Sequence, residues 1–500
     1  MSFAGIIDGH PPESVALIGR TGATTYGELS DQVGLLRSGL IERGIQPGDR
    51  VALIAANNEL FVTALLAIVG VGAVAAPLNP TSPPAELGRE LHVLRASGVI
   101  AGPAGARSLA GVDPEVLAEL RFAAVAEGTA LPKVAPHALV SLVELAQGPA
   151  RPLVEVAEDE PAIILFTSGT SGVPRGAVLT HGQLLVNHEQ VLSADPDGLL
   201  PDDVVLAVLP LFHVFGLNVV LGLTLRSGAT LVLDERFDPQ RTLDLVERHR
   251  VTVVAAGPPV WNAWVERPAP DAALAGLRRA LSGAAALPRS TAERFEETHG
   301  VAIREGYGLT EAAPVVSMPP PGEARSGSVG RPVPGLELRL VDDEGHDALI
   351  DDPGEVWVRG PNVFAGYLDE GPTPVDDDGW LHTGDIAVVD EDGWLWLVDR
   401  LGDLIIVSGF NVYPAEVENV VRSHPAVSAV AVVGEPDDRT GERIVAHVEC
   451  VAGALVEEDE LLSFAAERLP SFKCPARVDL HETLPAGATG KTPKRMLRET

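Results

Sequence analysis

The sequence predicts an α/β protein, with a large N-terminal domain of αβ-layered sheets that includes a β-rich subdomain, followed by a small α+β C-terminal domain. Short apolar runs at 51–54, 204–209 and 251–256 alternate with helical patterns, which is typical of a parallel sheet covered by helices on both faces. From about 325 to 398, short β-like runs are separated by Asp/Gly turns, which predicts the β-rich subdomain. A chain of 500 residues, 46% of them hydrophobic, can build more than one core.

The N-terminal elements are predicted by capping and hydropathy. Thr25, with Glu28 three residues later, is the pair that opens a helix with a capping box. Residues 61–78 are almost wholly apolar and long enough to raise the question of a membrane span. Two glycines and a proline interrupt this stretch, so we predict a buried helix followed by a buried strand, and no transmembrane segment.

Composition limits the partners and the compartment. The net charge is −33, from 70 acidic and 37 basic residues, which argues against nucleic acid and against an anionic membrane surface. The two cysteines, Cys450 and Cys474, make no disulfide framework and fit a reducing compartment. The N-terminus lacks the basic region and apolar core of a signal peptide, so we expect a cytoplasmic protein.

Residues 166–176 form the loop around which the chain is organised. It lies between two apolar runs and contains four hydroxyl side chains, three glycines and the cation of Arg175. Glycines let backbone N–H groups approach a ligand closely, and the hydroxyls and Arg175 add donors and charge, which suits a polyphosphate. The spacing is not that of a Walker A loop. Taken alone, the loop equally fits a flexible Gly/Ser surface turn.

A second chemical signal is the stretch at 305–311. Tyr307 stands between two glycines, where we expect it to be exposed and able to stack on a ring. Thr310 offers a hydroxyl to a phosphate, and the Glu311 carboxylate would be repelled by a triphosphate unless Mg²⁺ lay between them. Asp385 presents two acceptor oxygens suited to a pair of hydroxyls, although a turn or cap aspartate is the structural alternative.

These segments, in order from about residue 25 to 497, resemble the adenylate-forming superfamily of acyl-CoA synthetases, peptide-synthetase adenylation domains and luciferases. Residues 407–414 look most like the fatty-acyl and aryl-acid CoA ligases. The chain departs from the family at Arg175, where Lys is usual, and at Gly402, where Lys or Asp is usual. Arg and Lys differ in reach and hydration, and Gly402 removes any side-chain contact there.

The resemblance implies a nucleotide site. Tyr307 and Gly308 would face the adenine, Thr310 the α-phosphate, and Glu311 the Mg²⁺. Arg175, Thr310, Glu311 and Lys491 are implied as the catalytic set. The remaining residues implied to bind ATP or AMP belong to the phosphate loop, the adenine border and the ribose contacts: Thr167, Ser168, Gly169, Thr170, Ser171, Gly283, Ala284, Asp385 and Arg400.

The resemblance also implies an acid pocket, lined by five small or uncharged residues: His213, Ala255, Gly257, Ala285 and Gly330. A histidine beside aromatic residues is often structural, so the motif around His213 does not by itself establish a function. Such a pocket favours an apolar monocarboxylate. No arginine precedes Tyr307 as in dicarboxylate-activating members, so malonate is not expected. Chain length, and aliphatic against aromatic character, remain open.

The family's two domains join after Arg400. We expect domains at 1–399 and 403–500, with a hinge at 400–402 in which Gly402 absorbs the rotation. Lys491 would contact the substrate carboxylate and the α-phosphate, and Lys494 is the competing choice. Ser408 and Gly409 would approach the incoming thiol after rotation.

The expected reaction is ATP-dependent activation of a monocarboxylic acid to an acyl-adenylate, followed by thioester formation with coenzyme A. Free CoA is expected as the acceptor because no carrier domain follows in the chain. Two alternatives stay open: an acyl-AMP ligase that loads a separate carrier protein, and a non-catalytic nucleotide-binding relative. A homodimer is possible.

Overall fold

The computed structural model describes the whole chain except residues 1, 127–128, 130, 132–137, 169–173, 268–273, 369–372, 408–409, 438, 452, 455, 486–493 and 499–500. The chain forms two compact units. The first contains Met1–Glu337 and Arg359–Gly379, and the second contains Leu338–Val358 and Trp380–Thr500.

The first large sheet of the first unit has seven strands, and all neighbours are parallel except the last pair. Its strands, in spatial order, are Ile303–Glu305, Arg279–Ser282, Val253–Ala256, Val204–Ala207, Thr230–Leu233, Val15–Gly19 and Gly22–Thr25. The apolar run predicted at 204–209 forms a strand only as far as Ala207. Because neighbouring strands are parallel, their carboxyl ends lie along one edge of this sheet.

The second large sheet has eight strands. In spatial order they are Gly366–Tyr367, Pro174–Thr180, Pro161–Ser168, Val74–Pro77, Arg50–Ile54, Gly98–Ala101, Phe122–Val125 and Leu139–Ser141. The pair Pro161–Ser168 and Pro174–Thr180 is antiparallel, so both described ends of the predicted phosphate loop, 166–168 and 174–176, belong to paired strands. A small three-stranded sheet joins Tyr307–Gly308, Val315–Met318 and Arg331–Pro332.

Helices accompany the sheets of this unit. The α-helices are Tyr26–Glu42, Glu59–Gly70, Pro84–Leu94, Pro103–Leu109, Pro114–Ala118, Leu142–Leu145, His181–Ala194, Leu223–Arg226, Pro239–His249, Pro258–Glu266 and Arg289–His299. Phe3–Ile7 and Thr310–Ala312 are 3-10 turns, and Phe215–Gly222 is a π-helix.

Two of the N-terminal predictions are confirmed. Thr25 caps the first helix with a complete capping box to Glu28. The apolar stretch 61–78 forms the helix Glu59–Gly70 and the strand Val74–Pro77, and nearly all of it is buried. Within the part of the chain that the structure describes, no helix has the length and apolar character needed to cross a membrane.

The second unit contains two sheets. One has four strands, Glu337–Val341, Gly354–Arg359, Leu381–Val389 and Leu395–Arg400. All except Leu381–Val389 match predicted β-like runs. The other has five strands, Phe410–Val412, Ile405–Val407, Gly441–Cys450, Val427–Asp437 and Arg477–His481. Its helices are Pro414–Arg422, Glu458–Ala466 and Arg495–Arg498, with 3-10 turns at Leu401–Asp403 and Ser471–Lys473.

The core of the seven-stranded sheet explains its two faces. Val254, Ala256 and Ala280 belong to a buried cluster built around Trp261 and Phe295. The two rings meet edge to face, with centroids 5.2 Å apart. Because side chains alternate along a strand, the residues at 253, 255, 279 and 281 project from the opposite face.

Candidate active site

Residues predicted for the acid pocket and for the nucleotide site follow the carboxyl ends of strands in the seven-stranded sheet. Gly257 follows the strand Val253–Ala256 directly, and Gly283 follows Arg279–Ser282. Tyr307 lies two residues after the strand Ile303–Glu305, and His213 lies six residues after Val204–Ala207. In open parallel sheets ligands bind outside the carboxyl ends of the strands, so this edge is the candidate site.

Close contacts explain the glycines at this edge. A Cβ at Gly283 would lie 2.8 Å from the Phe215 ring, which therefore packs directly on the glycine backbone. Gly330 has φ +85°, and a Cβ there would lie 2.0 Å from the carbonyl carbon of Met318. Gly283 is therefore required for the close approach of the Phe215 ring. Gly330 is required both for its positive φ and for the close approach of Met318.

The loop after the strand Arg279–Ser282 is held in a defined shape. Ala284 adopts φ +68°, an uncommon conformation for a residue with a side chain. The Leu287 N–H donates to Glu305 Oε2 at 2.9 Å, which ties the loop to the neighbouring strand. Burial raises the pKa of Glu305, and this hydrogen bond opposes that shift. The half-buried Ala285 lies within the tied loop.

His213 enters the site as an uncharged ring. It is half-buried, and its Nδ1 accepts a hydrogen bond from the Phe215 N–H at 3.4 Å. Burial lowers the pKa of His213, so the imidazole is mostly neutral at neutral pH. A neutral imidazole beside the Phe215 ring suits an uncharged acyl or aryl group.

Tyr307 corrects one expectation. The side chain was predicted to be exposed, but it is only 7% exposed. The reason is that Tyr307 lies in a short strand that pairs with Ser317, so its ring is enclosed by neighbouring structure. Gly308, the next residue, is exposed.

A chain of contacts links the phosphate loop to Glu311. Thr167 and Arg175 face each other on paired strands, and Thr167 Oγ1 donates to the Arg175 carbonyl at 3.5 Å. The Arg175 guanidinium carbon lies 3.7 Å from the centroid of the Tyr367 ring. The Tyr367 hydroxyl donates to Glu311 Oε1 at 2.7 Å. Sequence reasoning did not find Tyr367, because nothing local marks a tyrosine after Gly366 as part of this site.

Buried amides hold the turn that carries Thr310 and Glu311. Asn362 Nδ2 donates to the Ala312 carbonyl at 2.7 Å, and Asn218 Nδ2 donates to the Ala313 carbonyl at 2.6 Å. Asn187 accepts from the Val315 N–H at 3.0 Å and donates to the Val315 carbonyl at 2.9 Å. These residues were also missed, although an asparagine inside an apolar helical stretch is a detectable signal of a buried hydrogen bond.

Glu311 is the one carboxylate predicted to bind Mg²⁺. Glu311 uses Oε1 for Tyr367, and its other oxygen accepts no hydrogen bond from the described residues. Over the described ranges there is no group of three or more His, Cys, Asp or Glu side chains that could hold a metal. A single carboxylate together with substrate phosphate oxygens is a common Mg²⁺ arrangement, so Glu311 fits this ion.

The two residues predicted to contact the ribose lie in the second unit. Asp385 and Arg400 are register partners on the antiparallel strands Leu381–Val389 and Leu395–Arg400. Asp385 is 6% exposed, and its N–H donates to Thr383 Oγ1 at 3.1 Å. Gly384 between them has φ +70°, which favours glycine. The structure therefore places the two predicted ribose residues on adjacent strands.

The hinge and the C-terminal lysines are described in part. Gly402 lies in the 3-10 turn Leu401–Asp403, three residues after Asp399, whose carboxylate accepts from the Ala415 N–H at 2.7 Å. Lys494 forms a largely buried ion pair with Glu418, with Nζ 2.9 Å from Oε1. Several predicted residues lie outside the described residues: Gly169, Thr170, Ser171, Ser408, Gly409 and Lys491.

Comparisons with known proteins match the whole chain. Residues 7–368 match the family model for the AMP-binding enzyme, and residues 416–491 match that for the AMP-binding enzyme C-terminal domain. The chain is 38% identical to a feruloyl-CoA synthase from Amycolatopsis sp. over 482 residues, which are 95% of this chain and 94% of that protein. It is 34% identical to 4-coumarate–CoA ligase 5 of Oryza sativa subsp. japonica over 504 residues, covering 96% and 90%.

A solved structure extends the comparison to a bound intermediate. It is the o-succinylbenzoate CoA synthetase MenE from Bacillus subtilis in complex with the acyl-adenylate intermediate OSB-AMP. The two chains superpose with a TM-score of 0.86 at 27% identity, covering 100% of this chain and 98% of that one.

Proposed function

The chain belongs to the AMP-binding enzyme family, and from that premise we propose that it is an acid–CoA ligase. It uses ATP to convert a monocarboxylic acid to an acyl-adenylate, and then transfers the acyl group to coenzyme A. The named activities of the feruloyl-CoA synthase and the 4-coumarate–CoA ligase support CoA as the acceptor. The acyl-adenylate held by MenE supports the intermediate.

One observation within the first unit carries this proposal. The predicted acid-pocket residues Ala255 and Gly257 and the neutral His213 ring lie at the carboxyl edge of the seven-stranded sheet, and none of them carries a charge. Arg175, Tyr367 and Glu311 form a connected set that ends in a carboxylate suited to a metal-bound phosphate. An acid pocket and a phosphate-binding set are the two parts that adenylation needs.

In the first step, a carboxylate oxygen of the acid attacks the α-phosphorus of ATP, and pyrophosphate leaves. Mg²⁺, when bound, offsets the negative charge of the phosphates. Glu311 would hold this ion, Thr310 would donate to the α-phosphate, and Arg175 and Lys491 would add positive charge. Catalysis of this kind depends on positioning and electrostatic stabilisation.

In the second step, the thiolate of CoA attacks the acyl carbonyl carbon, and AMP leaves. We propose that the domain after about residue 403 rotates about residues 400–402, as the family resemblance implies. That rotation withdraws Lys491 and brings Ser408 and Gly409 towards the thiol. The 1–399 and 403–500 boundaries, the cytoplasmic location and the possible homodimer stay predictions from the sequence.

The acid is an apolar or aryl monocarboxylate. The pocket residues Ala255, Gly257 and Ala285 carry no charge. The names of the two relatives, feruloyl-CoA synthase and 4-coumarate–CoA ligase, indicate ring-bearing acids of the hydroxycinnamate type. We therefore favour aryl-propenoic and aryl-propanoic acids over short aliphatic acids.

Pyrophosphate release from Mg-ATP tests this proposal. The panel contains short, medium and long fatty acids and benzoate-, cinnamate- and phenylpropanoate-type acids, each with and without CoA. We expect release that requires an aryl acid and that increases when CoA is added. Acid-dependent release that ignores CoA would favour loading of a separate carrier protein, and ATP binding without any release would favour a non-catalytic relative.

A further inference from the structure

A buried asparagine holds the segment that leads to His213. Asn57 lies three residues after the strand Arg50–Ile54 of the eight-stranded sheet, and it is 6% exposed. Its side chain contacts residues 207–211, which begin at the last residue of the strand Val204–Ala207 in the seven-stranded sheet. Asn57 therefore joins the two large sheets of the first unit, at the carboxyl ends of a strand from each.

Three hydrogen bonds fix the segment 207–211. Asn57 Nδ2 donates to the Ala207 carbonyl at 3.0 Å and to the Leu209 carbonyl at 2.7 Å. Asn57 Oδ1 accepts from the Leu211 N–H at 2.9 Å. The bonded residues are two apart, as in a strand ladder, so the side-chain amide takes the place of a strand partner. All three are buried, so water does not substitute for these hydrogen bonds.

The hydrogen bond from the Leu211 N–H orients a whole peptide group, because this N–H and the Pro210 carbonyl belong to one planar unit. The Pro210 carbonyl accepts from the His213 N–H at 3.1 Å. It also lies against Gly216, where a Cβ would be 2.2 Å from the Pro210 oxygen. The start of the π-helix is therefore packed on the peptide group that Asn57 orients.

The two rings that follow this peptide group depend on its direction. The His213 Nδ1 accepts from the Phe215 N–H, and the Phe215 ring packs on the backbone of Gly283. A change in the direction of the Pro210 carbonyl would move the His213 backbone that it holds. The Phe215 ring would then leave its contact with Gly283.

We propose that Asn57 is a positioning residue for acid binding, which acts through the segment 207–211 on the placement of His213 and Phe215. An asparagine side chain suits this role because it is both a double donor and an acceptor. Alanine supplies neither function, and an ionised aspartate supplies only acceptors. This inference rests on the proposed acid–CoA ligase function.

The first test is Asn57→Ala, assayed by pyrophosphate release with cinnamate and with the panel acid that gives the highest wild-type kcat/KM. We expect the KM for the acid to rise at least about tenfold, because three buried backbone groups lose their partner. We expect kcat, and the Kd of Mg-ATP in calorimetry, to change less than about threefold, because the lost hydrogen bonds hold the acid side of the site. A general loss of structure would change all three.

The second test is Asn57→Asp, whose effect should depend on pH. An ionised carboxylate would repel the carbonyl oxygens of Ala207 and Leu209, whereas the protonated acid donates to one of them. Burial among these residues and Leu211, none of which titrates, raises the pKa of such a carboxyl. The ratio of acid KM in this variant to that in the wild type should therefore fall at least about threefold from pH about 8 to pH about 6. The same ratio for Asn57→Ala should not change.

Thr25→Ala is the control for a loss of stability. Thr25 caps the first helix, and its hydrogen bonds are made with Glu28 and not with the segment 207–211. Removal of the cap should lower the urea midpoint, while the KM for the acid should stay within about twofold of the wild-type value.

An unchanged acid KM in folded Asn57→Ala overturns this inference, and so does a rise in the Kd of Mg-ATP as large as the rise in acid KM. If Asn57→Ala does not fold, a pH-independent KM ratio in Asn57→Asp overturns it. Each of these results leaves the proposed function intact, because the wild type still turns over the acid. Absence of wild-type turnover with every acid in the panel would instead count against the proposed function, and this inference would fall with it.

Discussion

At the scale of single residues, Tyr367 is the side chain that joins Arg175 to Glu311. Its ring lies under the guanidinium, and its hydroxyl donates to the carboxylate at 2.7 Å. Tyr367→Phe keeps the ring and removes only the donor. We expect weaker Mg²⁺-ATP binding by about threefold to tenfold in calorimetry, because Glu311 loses the hydrogen bond that fixes its orientation. The Mg²⁺ concentration for half-maximal pyrophosphate release should rise with it.

Arg175→Lys tests the contact between the Arg175 guanidinium and the Tyr367 ring. Lysine keeps the charge but loses the planar group that stacks on the ring, so this variant tests the stacked guanidinium and not the charge. If Tyr367→Phe bound Mg²⁺-ATP as tightly as the wild type, Tyr367 would have no positioning role towards Glu311.

The sequence predicts which side chains could take part in the chemistry, but it does not predict how buried they are or which residues they contact. The motif at 305–311 identified Tyr307 and Glu311, but not that Tyr307 is buried, because its burial depends on the partner strand Val315–Met318. Tyr367 and Asn187 act through contacts with residues far away in the chain. A single sequence does not record such distances.

At the scale of elements, the helix His181–Ala194 anchors the turn that carries Thr310 and Glu311. It begins with a capping box between Thr180 and Gln183. Asn187 is 1% exposed and makes both hydrogen bonds to Val315. Asn187→Ala leaves the half-buried N–H of Val315 without this partner, and leaves its C=O with only the longer hydrogen bond from Asn362 at 3.4 Å. We expect a loss of about 2–4 kcal/mol in the free energy of unfolding, measured by urea denaturation.

Glu189→Ala is the control on the same helix. Glu189 is 63% exposed and pairs with Arg226 at the surface, so its removal should change stability by less than about 0.5 kcal/mol. Asn187→Ala should also reduce pyrophosphate release at temperatures where it remains folded. Similar stabilities for the two variants would contradict an anchoring role for Asn187.

Strands and helices were the part of the fold that the sequence predicted well. Apolar runs became strands within about two residues of the predicted ends, as at Val253–Ala256 and Arg50–Ile54, because hydrophobic periodicity is a local property. The π-helix Phe215–Gly222 was not predicted. Its geometry differs from an α-helix in hydrogen-bond spacing, which leaves no distinct apolar pattern.

At the scale of the whole molecule, family membership and fold class are confirmed, while the domain boundaries and the roles of the site residues stay predictions. The compact units divide the chain at Glu337 and again at Arg359 and Gly379. The four-stranded sheet therefore belongs largely to the same unit as the C-terminal residues, whereas the sequence predicts 325–398 as part of the N-terminal domain. The unit that a strand joins depends on contacts between segments far apart in the chain, and local sequence patterns do not show those contacts.

The two C-terminal lysines, Lys491 and Lys494, are predicted to affect the two steps of the reaction differently. Lys491 is the predicted adenylation lysine and lies outside the described residues, while Lys494 is engaged in a largely buried ion pair with Glu418. Lys491→Ala should slow adenylate formation by at least about 100-fold, because it removes a cation aimed at developing charge. It should leave CoA-dependent consumption of supplied acyl-AMP nearly unchanged, because the proposed rotation withdraws this residue before the second step.

Lys494→Ala should instead lower stability, since Glu418 loses its buried partner, and should affect the two half-reactions to a similar extent. Rapid-quench assays of each half-reaction distinguish these outcomes. Equal loss of both half-reactions in Lys491→Ala, or a selective loss of adenylation in Lys494→Ala, would reject the assignment of Lys491 and the proposed alternation with it.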